Sequence, residues 1–136
     1  MANYPVIEVE GIGPVYGKKL NDAGIKNTDQ LLNACKTKAM RVKLAADSGI
    51  DESHILRFAN MVDLFRIHGV GSEYADLLEA SGVDTVKELA TRNPANLTAK
   101  MAEVNNEKKL VRRIPTEKMV EKWVNEAKTL PGALEY

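Results

Sequence analysis

Gly11-Ile12-Gly13-Pro14-Val15-Tyr16-Gly17-Lys18-Lys19-Leu20-Asn21-Asp22-Ala23-Gly24-Ile25 decides the reading of this chain, because its pattern returns 58 residues later. The second copy is Gly69-Val70-Gly71-Ser72-Glu73-Tyr74-Ala75-Asp76-Leu77-Leu78-Glu79-Ala80-Ser81-Gly82-Val83. Glycine, aliphatic, glycine, tyrosine, small, leucine, small, glycine and aliphatic residues meet without a gap, which marks an internal repeat. After it, dropping one residue sets Thr28-Asp29-Gln30-Leu31-Leu32 against Thr85-Val86-Lys87-Glu88-Leu89. The chain therefore divides into two units of similar length, 1–66 and 67–136.

Within each copy the punctuation is helical. Pro14 suits the first turn of a helix, where its missing N–H costs nothing, and Ser72 is its polar equivalent. Gly24 and Gly82 stand where a left-handed residue ends a helix. Thr28 and Thr85 are candidate N-caps of short second helices. Asn93-Pro94 opens a further helix with Leu97, Met101 and Val104 on one face, and each unit closes on a longer amphipathic helix. Ala, Leu, Lys and Glu, all strong helix formers, make up 53 of the 136 residues, and no segment alternates with period two. The expected class is all-α, two tandem bundles of four to five short helices each.

In both copies the Gly-x-Gly is a device for a tight turn between helices. Glycine reaches backbone conformations closed to other residues, and the central Ile12 or Val70 plugs the gap beneath the turn. Gly17 and Ala75, four residues on, let neighbouring backbone come close. Tyr16 and Tyr74 share one repeat position and so should share a packing role.

These residues, Gly11 to Leu20 and Gly69 to Leu78, resemble helix-hairpin-helix motifs. Their continuation through Ala23-Gly24-Ile25, Thr28 to Leu32 and Leu44 to Glu52 is similar to the small N-terminal domain of archaeal and eukaryotic RecA-type recombinases, which carries no ATPase. The tandem arrangement resembles an uncharacterised bacterial family of double helix-hairpin-helix proteins. The resemblance implies contact with nucleic acid, DNA rather than RNA, through backbone N–H groups aimed at phosphates and aided by the helix dipole. Carried onto this chain, the contact residues are Gly11, Ile12, Gly13 and Val15, reinforced by Lys18 and Lys19, and Gly69, Val70, Gly71 and Ser72, with the amide of Glu73. Asp76 and Leu77 replace the two lysines in the second copy, so the first hairpin is expected to bind phosphate more strongly. A monovalent cation on hairpin carbonyls is a further possibility of the motif class.

Charge and chemistry narrow the function. With 19 Lys+Arg against 19 Asp+Glu the net charge is zero, unlike a binder that relies on a strongly basic surface. Two local basic clusters stand out: Lys36, Lys38, Arg41 and Lys43, then Lys108, Lys109, Arg112 and Arg113. The single cysteine, Cys35, excludes an internal disulfide, and His54 and His68 fall in no catalytic or metal-ligand spacing. The P-loop spacing is absent. No catalytic residue, metal or cofactor is expected, and Trp123 is expected in a core. The partners expected are nucleic acid or, as the alternative, protein in a scaffold or adaptor role, with neither membrane nor small-molecule substrate. Without a bilayer-length apolar run the expected compartment is the cytoplasm.

Overall fold

The computed structural model describes residues 3–136. Among them are eight α-helices, one 3-10 turn and no strand, so the protein is all-α. The chain forms two compact units. One comprises the described residues up to Asp63 together with Ala133–Tyr136; the other is Leu64–Gly132. The chain thus leaves the first unit at Asp63 and returns to it for its last four residues.

In the first unit a 3-10 turn, Val6–Glu8, precedes α1 (Gly13–Asp22), α2 (Thr28–Asn33), α3 (Lys38–Ser48) and α4 (Glu52–Leu64). The 3-10 turn lies along α1, and α1 also packs on α3. Val6, Ile12, Leu20, Leu31, Ile55 and Phe58 are buried. The tail is held onto this unit by backbone and side chains alike. Glu135 donates its N–H to the Lys36 carbonyl (2.7 Å), and the Tyr136 hydroxyl donates to Asn60 Oδ1 (2.6 Å).

The second unit carries α5 (Ser72–Ala80), α6 (Val86–Leu89), α7 (Pro94–Lys108) and α8 (Glu117–Ala127). α7 packs on α5 and α8, and α6 on α8. Leu97, Met101 and Val104 form the buried stripe of α7 that their spacing predicts, and Trp123 is buried on α8.

Helix ends follow the local sequence closely. Gly24 and Gly82 both have φ +93°, and the N–H groups of Ile25 and Val83 reach back to the carbonyls of Leu20 and Leu78, each at 2.8 Å. With Gly24 N–H on Asn21 and Gly82 N–H on Glu79, these are two Schellman ends, in which the residue after the glycine packs over the last helical turn. The second helices require a correction. Asn27, not Thr28, caps α2, accepting the Gln30 N–H at 2.9 Å, whereas Thr85 does cap α6. Thr28 is the first helical residue; its buried hydroxyl accepts the Tyr4 N–H and donates to Asn3. The caps Asn27 and Thr85, like the buried Leu31 and Leu89, keep the 58-residue offset, so no residue drops out here.

At Gly17 the backbone of the 3-10 turn comes close to α1. A methyl at this position would lie 2.6 Å from the Cα of Ile7, in the backbone of the 3-10 turn, while Ala75 at the matching place of the second unit carries its methyl buried. Alanine gains about 1 kcal/mol over glycine as a helix former, but overpacking against a backbone atom costs about 1–3 kcal/mol or more. Gly17→Ala should therefore lower the denaturant midpoint despite its better helix propensity; an unchanged or higher midpoint would show that the turn yields freely.

Candidate nucleic-acid interface

Every α-helix begins with N–H groups that have no acceptor within the helix. Six of the eight described helices close this end with a side chain. Asn27, Thr37, Asp51, Thr85, Asn93 and Thr116 accept from the N–H groups of Gln30, Met40, His54, Glu88, Asn96 and Met119, at 2.9 to 3.2 Å. The remaining two are α1 and α5, whose N-cap residues Ile12 and Gly71 make no side-chain cap bond. These are the helices that follow the Gly-x-Gly turns.

The two turns are built differently despite their matched sequences. In the first, Gly13 takes the left-handed conformation (φ +78°); in the second it is Gly69 (φ +87°), and Gly71 is extended. Ile12 and Val70 are buried beneath their turns as the plugs expected of them. Their amides, and that of Gly13, are not open donors. Ile12 and Gly13 both donate to the Val9 carbonyl (3.0 and 2.9 Å), and Val70 donates to Ile67 (3.1 Å). This corrects the expectation that all three point at a ligand: the chain's own carbonyls take them because each turn closes on itself. Pro14 has no N–H, so Val15, largely exposed at 68%, is the donor position left in the first turn. Gly71, Ser72 and Glu73 are three successive N–H groups in the uncapped start of α5.

Lys18 and Lys19 lie on the exposed surface of α1. Lys18 Nζ is 3.6 Å from Asp22, and Lys19 Nζ stands 5.9 Å from the centre of the Tyr16 ring. Gly11 is half-buried between the 3-10 turn and α1 and has no positive φ. Two members of the cluster from Lys36 to Lys43 are engaged elsewhere than at this turn. Arg41 is buried, donating to the carbonyls of Cys35 (2.8 Å) and Glu135 (2.7 Å) beside the Tyr136 ring. Lys43 pairs with Asp47 and shares a shallow groove with Ala23 and Ile25, past the C-terminal end of α1. Arg41 is thus a structural clamp for the tail, a role invisible in a run of basic residues.

The second cluster does gather at the second turn. Asn105 on α7 grips Val111 at both ends of its peptide, accepting its N–H (2.9 Å) and donating to its carbonyl (3.1 Å). The Tyr74 hydroxyl, in the first turn of α5, donates to the Arg113 carbonyl at 3.1 Å. The loop so held exposes Lys109, Leu110, Arg112 and Arg113, and a groove of about 690 Å³ runs between Glu73, Asn106, Lys109, Arg112 and Ile114.

Both histidines have partners that spacing did not suggest. His54 Nδ1 sits 2.8 Å from Asp51, and its Nε2 is 3.4 Å from the Tyr16 hydroxyl. Hydrogen bonds from Ser53 and from the amide and ring of His54 hold the Asp51 carboxyl well below the usual carboxylate range. His68 is bracketed by Glu126, which accepts its N–H (3.0 Å) and lies 2.8 Å from Nδ1; the ring stays 84% exposed. Burial pushes the Cys35 thiol up to about 12 against the opposing effect of Arg41, which keeps it protonated at neutral pH. Among the described residues no helix is long and apolar enough to cross a membrane.

The chain belongs to the family described as a domain of unknown function, DUF4332, whose family model covers residues 10–130. No curated protein and no solved structure matches it.

Amide hydrogen exchange tests the geometry of the turns. The N–H groups of Ile12, Gly13 and Val70 should exchange more slowly than those of Gly71, Ser72 and Glu73 in the free protein. Equal protection at the two sets would mean that the start of α5 is not open.

Proposed function

We propose that this chain is a non-enzymatic nucleic-acid-binding module made of two tandem helix-hairpin-helix units, each similar to the N-terminal domain of archaeal and eukaryotic RecA-type recombinases. It holds the phosphates of DNA weakly and without regard to sequence. The observation that carries this reading is the pairing of Gly-x-Gly turns with the two helix starts that no side chain closes. An uncapped helix start offers N–H donors and the positive end of the helix dipole to an anion, and a capped one has already spent part of both. Backbone amides at phosphates carry no base information, hence the lack of sequence preference.

The share of each turn follows from its donors. Lys18 and Lys19 favour the first turn by charge, but its amides at Ile12 and Gly13 are engaged by Val9. The second turn has Gly71, Ser72 and Glu73 in a row, and its missing lysines are offset by Lys109, Arg112 and Arg113 arriving from the α7 to α8 connection. The principal phosphate seat is therefore assigned to the start of α5, with Val15, Lys18 and Lys19 as the lesser contact. The competing reading, a protein scaffold, draws on the exposed Val15 side chain beside the first turn.

Fluorescence anisotropy of a labelled duplex across a salt series tests the proposal. About two to four neutralised phosphates give a slope of log K against log salt of roughly −2 to −4, with Kd on the order of 10⁻⁴ to 10⁻⁶ M and no preference between unrelated sequences. Ser72→Pro is the informative variant. Ser72 is the first residue of α5, a position that tolerates proline, and the extended Gly71 before it is compatible with one. The substitution deletes one N–H while keeping the helix and should weaken binding about tenfold, the worth of one hydrogen bond to a charged group. Undiminished binding by folded Ser72→Pro would move the seat elsewhere; no binding by the native protein at low salt would favour the scaffold.

A further inference from the structure

α3 and α7 both end in a left-handed residue, and they fill that position in opposite ways. After α3 it is Gly49 (φ +73°), the residue that pays no steric penalty there. After α7 it is Lys109 (φ +51°, ψ +46°), the only described residue other than glycine with positive φ. A side chain in this region strains the backbone, and a lysine, unlike an asparagine, makes no compensating local hydrogen bond typical of the position. The position thus carries a cation at a conformational cost. Local rules broken without a packing gain are characteristic of functional positions.

The surroundings fix the backbone of the loop that carries this cation. Asn105, one turn back on α7, accepts and donates across the Val111 peptide, and its carbonyl takes the Lys109 N–H at 2.9 Å. At the far end of the loop the Tyr74 hydroxyl fixes the Arg113 carbonyl to the first turn of α5. Lys109 and Arg112 therefore line one groove with Glu73, two cations against one carboxylate, next to the amides of Gly71 to Glu73.

We infer that the loop from Lys109 to Arg113 is a second phosphate-binding element, in which Lys109 and Arg112 take a phosphate of the same nucleic-acid strand whose neighbouring phosphate sits at the start of α5. Asn105 and Tyr74 are its positioning residues. The inference rests on the proposed function and adds to it a second phosphate position, held by the loop beside the one at the start of α5. Charge complementarity selects a polyanion as the occupant, and the adjoining donors at α5 select its phosphodiester backbone.

The experiment measures affinity, salt slope and thermal midpoint together for the native protein, Lys109→Gly, Arg112→Gln and Lys100→Ala, using a labelled duplex at physiological ionic strength. Lys100 lies about 13 Å along α7 from Lys109, beyond the roughly 8 Å over which exposed charges act at that salt. Lys109→Gly and Arg112→Gln should each weaken binding roughly three- to tenfold and reduce the slope by about 1. Lys100→Ala should leave both unchanged. Lys109→Gly should also raise the thermal midpoint, since it relieves the left-handed strain, so that stability is gained as affinity is lost. A native slope retained in both loop variants overturns the inference and leaves the proposed function standing. An equal loss in Lys100→Ala overturns it in favour of diffuse charge, and a lowered midpoint for Lys109→Gly removes the strain argument. Absence of any binding by the native protein overturns both readings.

Discussion

A protein built from helices of four to fifteen residues depends on how those helices end. At such lengths an isolated helix is marginal, because the cost of nucleation is spread over few hydrogen bonds and the unpaired groups at the two ends are a large part of the whole. Six helix starts here are closed by Asn, Thr or Asp, and the first helix of each unit stops in a Schellman turn around Gly24 or Gly82. Packing then works on segments whose ends are already satisfied. The exceptions at α1 and α5 stand out for this reason: in a chain that caps its helices so regularly, two starts without a side-chain cap follow the same short motif.

The two units show how far one pattern can drift in chemistry while its spacing holds. The left-handed glycine moves from the second position of the motif at Gly13 to the first at Gly69. Tyr16 and Tyr74 both send their hydroxyls to the segment around the start of the last helix, one to His54 and the other to the Arg113 carbonyl. At the left-handed end of the third helix, glycine stands in one unit and lysine in the other. Each change is small in backbone terms, yet together they redistribute amide donors and positive charge. The first turn keeps its lysines and loses donors to Val9; the second lacks lysines on its helix and borrows cations from a clamped loop.

The C-terminal tail adds a constraint of another kind. Arg41 is buried with its guanidinium shared between the carbonyls of Cys35 and Glu135 and faced by the Tyr136 ring. Carbonyl oxygens and an aromatic face compensate a buried cation only in a well-formed arrangement. The guanidinium ties the end of α2, the start of α3 and the tail together, and the Cys35 thiol beside it is kept protonated by burial.

The sequence by itself determined the helical class, the stops at Gly24 and Gly82, the cap at Thr85, the buried stripe of α7 and the burial of Ile12, Val70 and Trp123. All of these depend on residues within about one helical turn of each other or on a periodicity that any packed helix must obey, so local composition suffices to specify them. Even there a one-residue choice escaped: Asn27 and Thr28 are both good caps, and Thr28 is the one drawn inward because Asn3 and Tyr4 are waiting for its hydroxyl. Only the tertiary structure decided that Arg41 leaves the surface for a carbonyl 94 residues away, that His68 finds Glu126 across 58 residues, and that Asn105 and Tyr74 fix the basic loop beside α5. A side chain's charge is legible in one letter, but its availability is set by whichever distant group the fold brings within 3 Å of it, and for a candidate phosphate site availability is the quantity that counts.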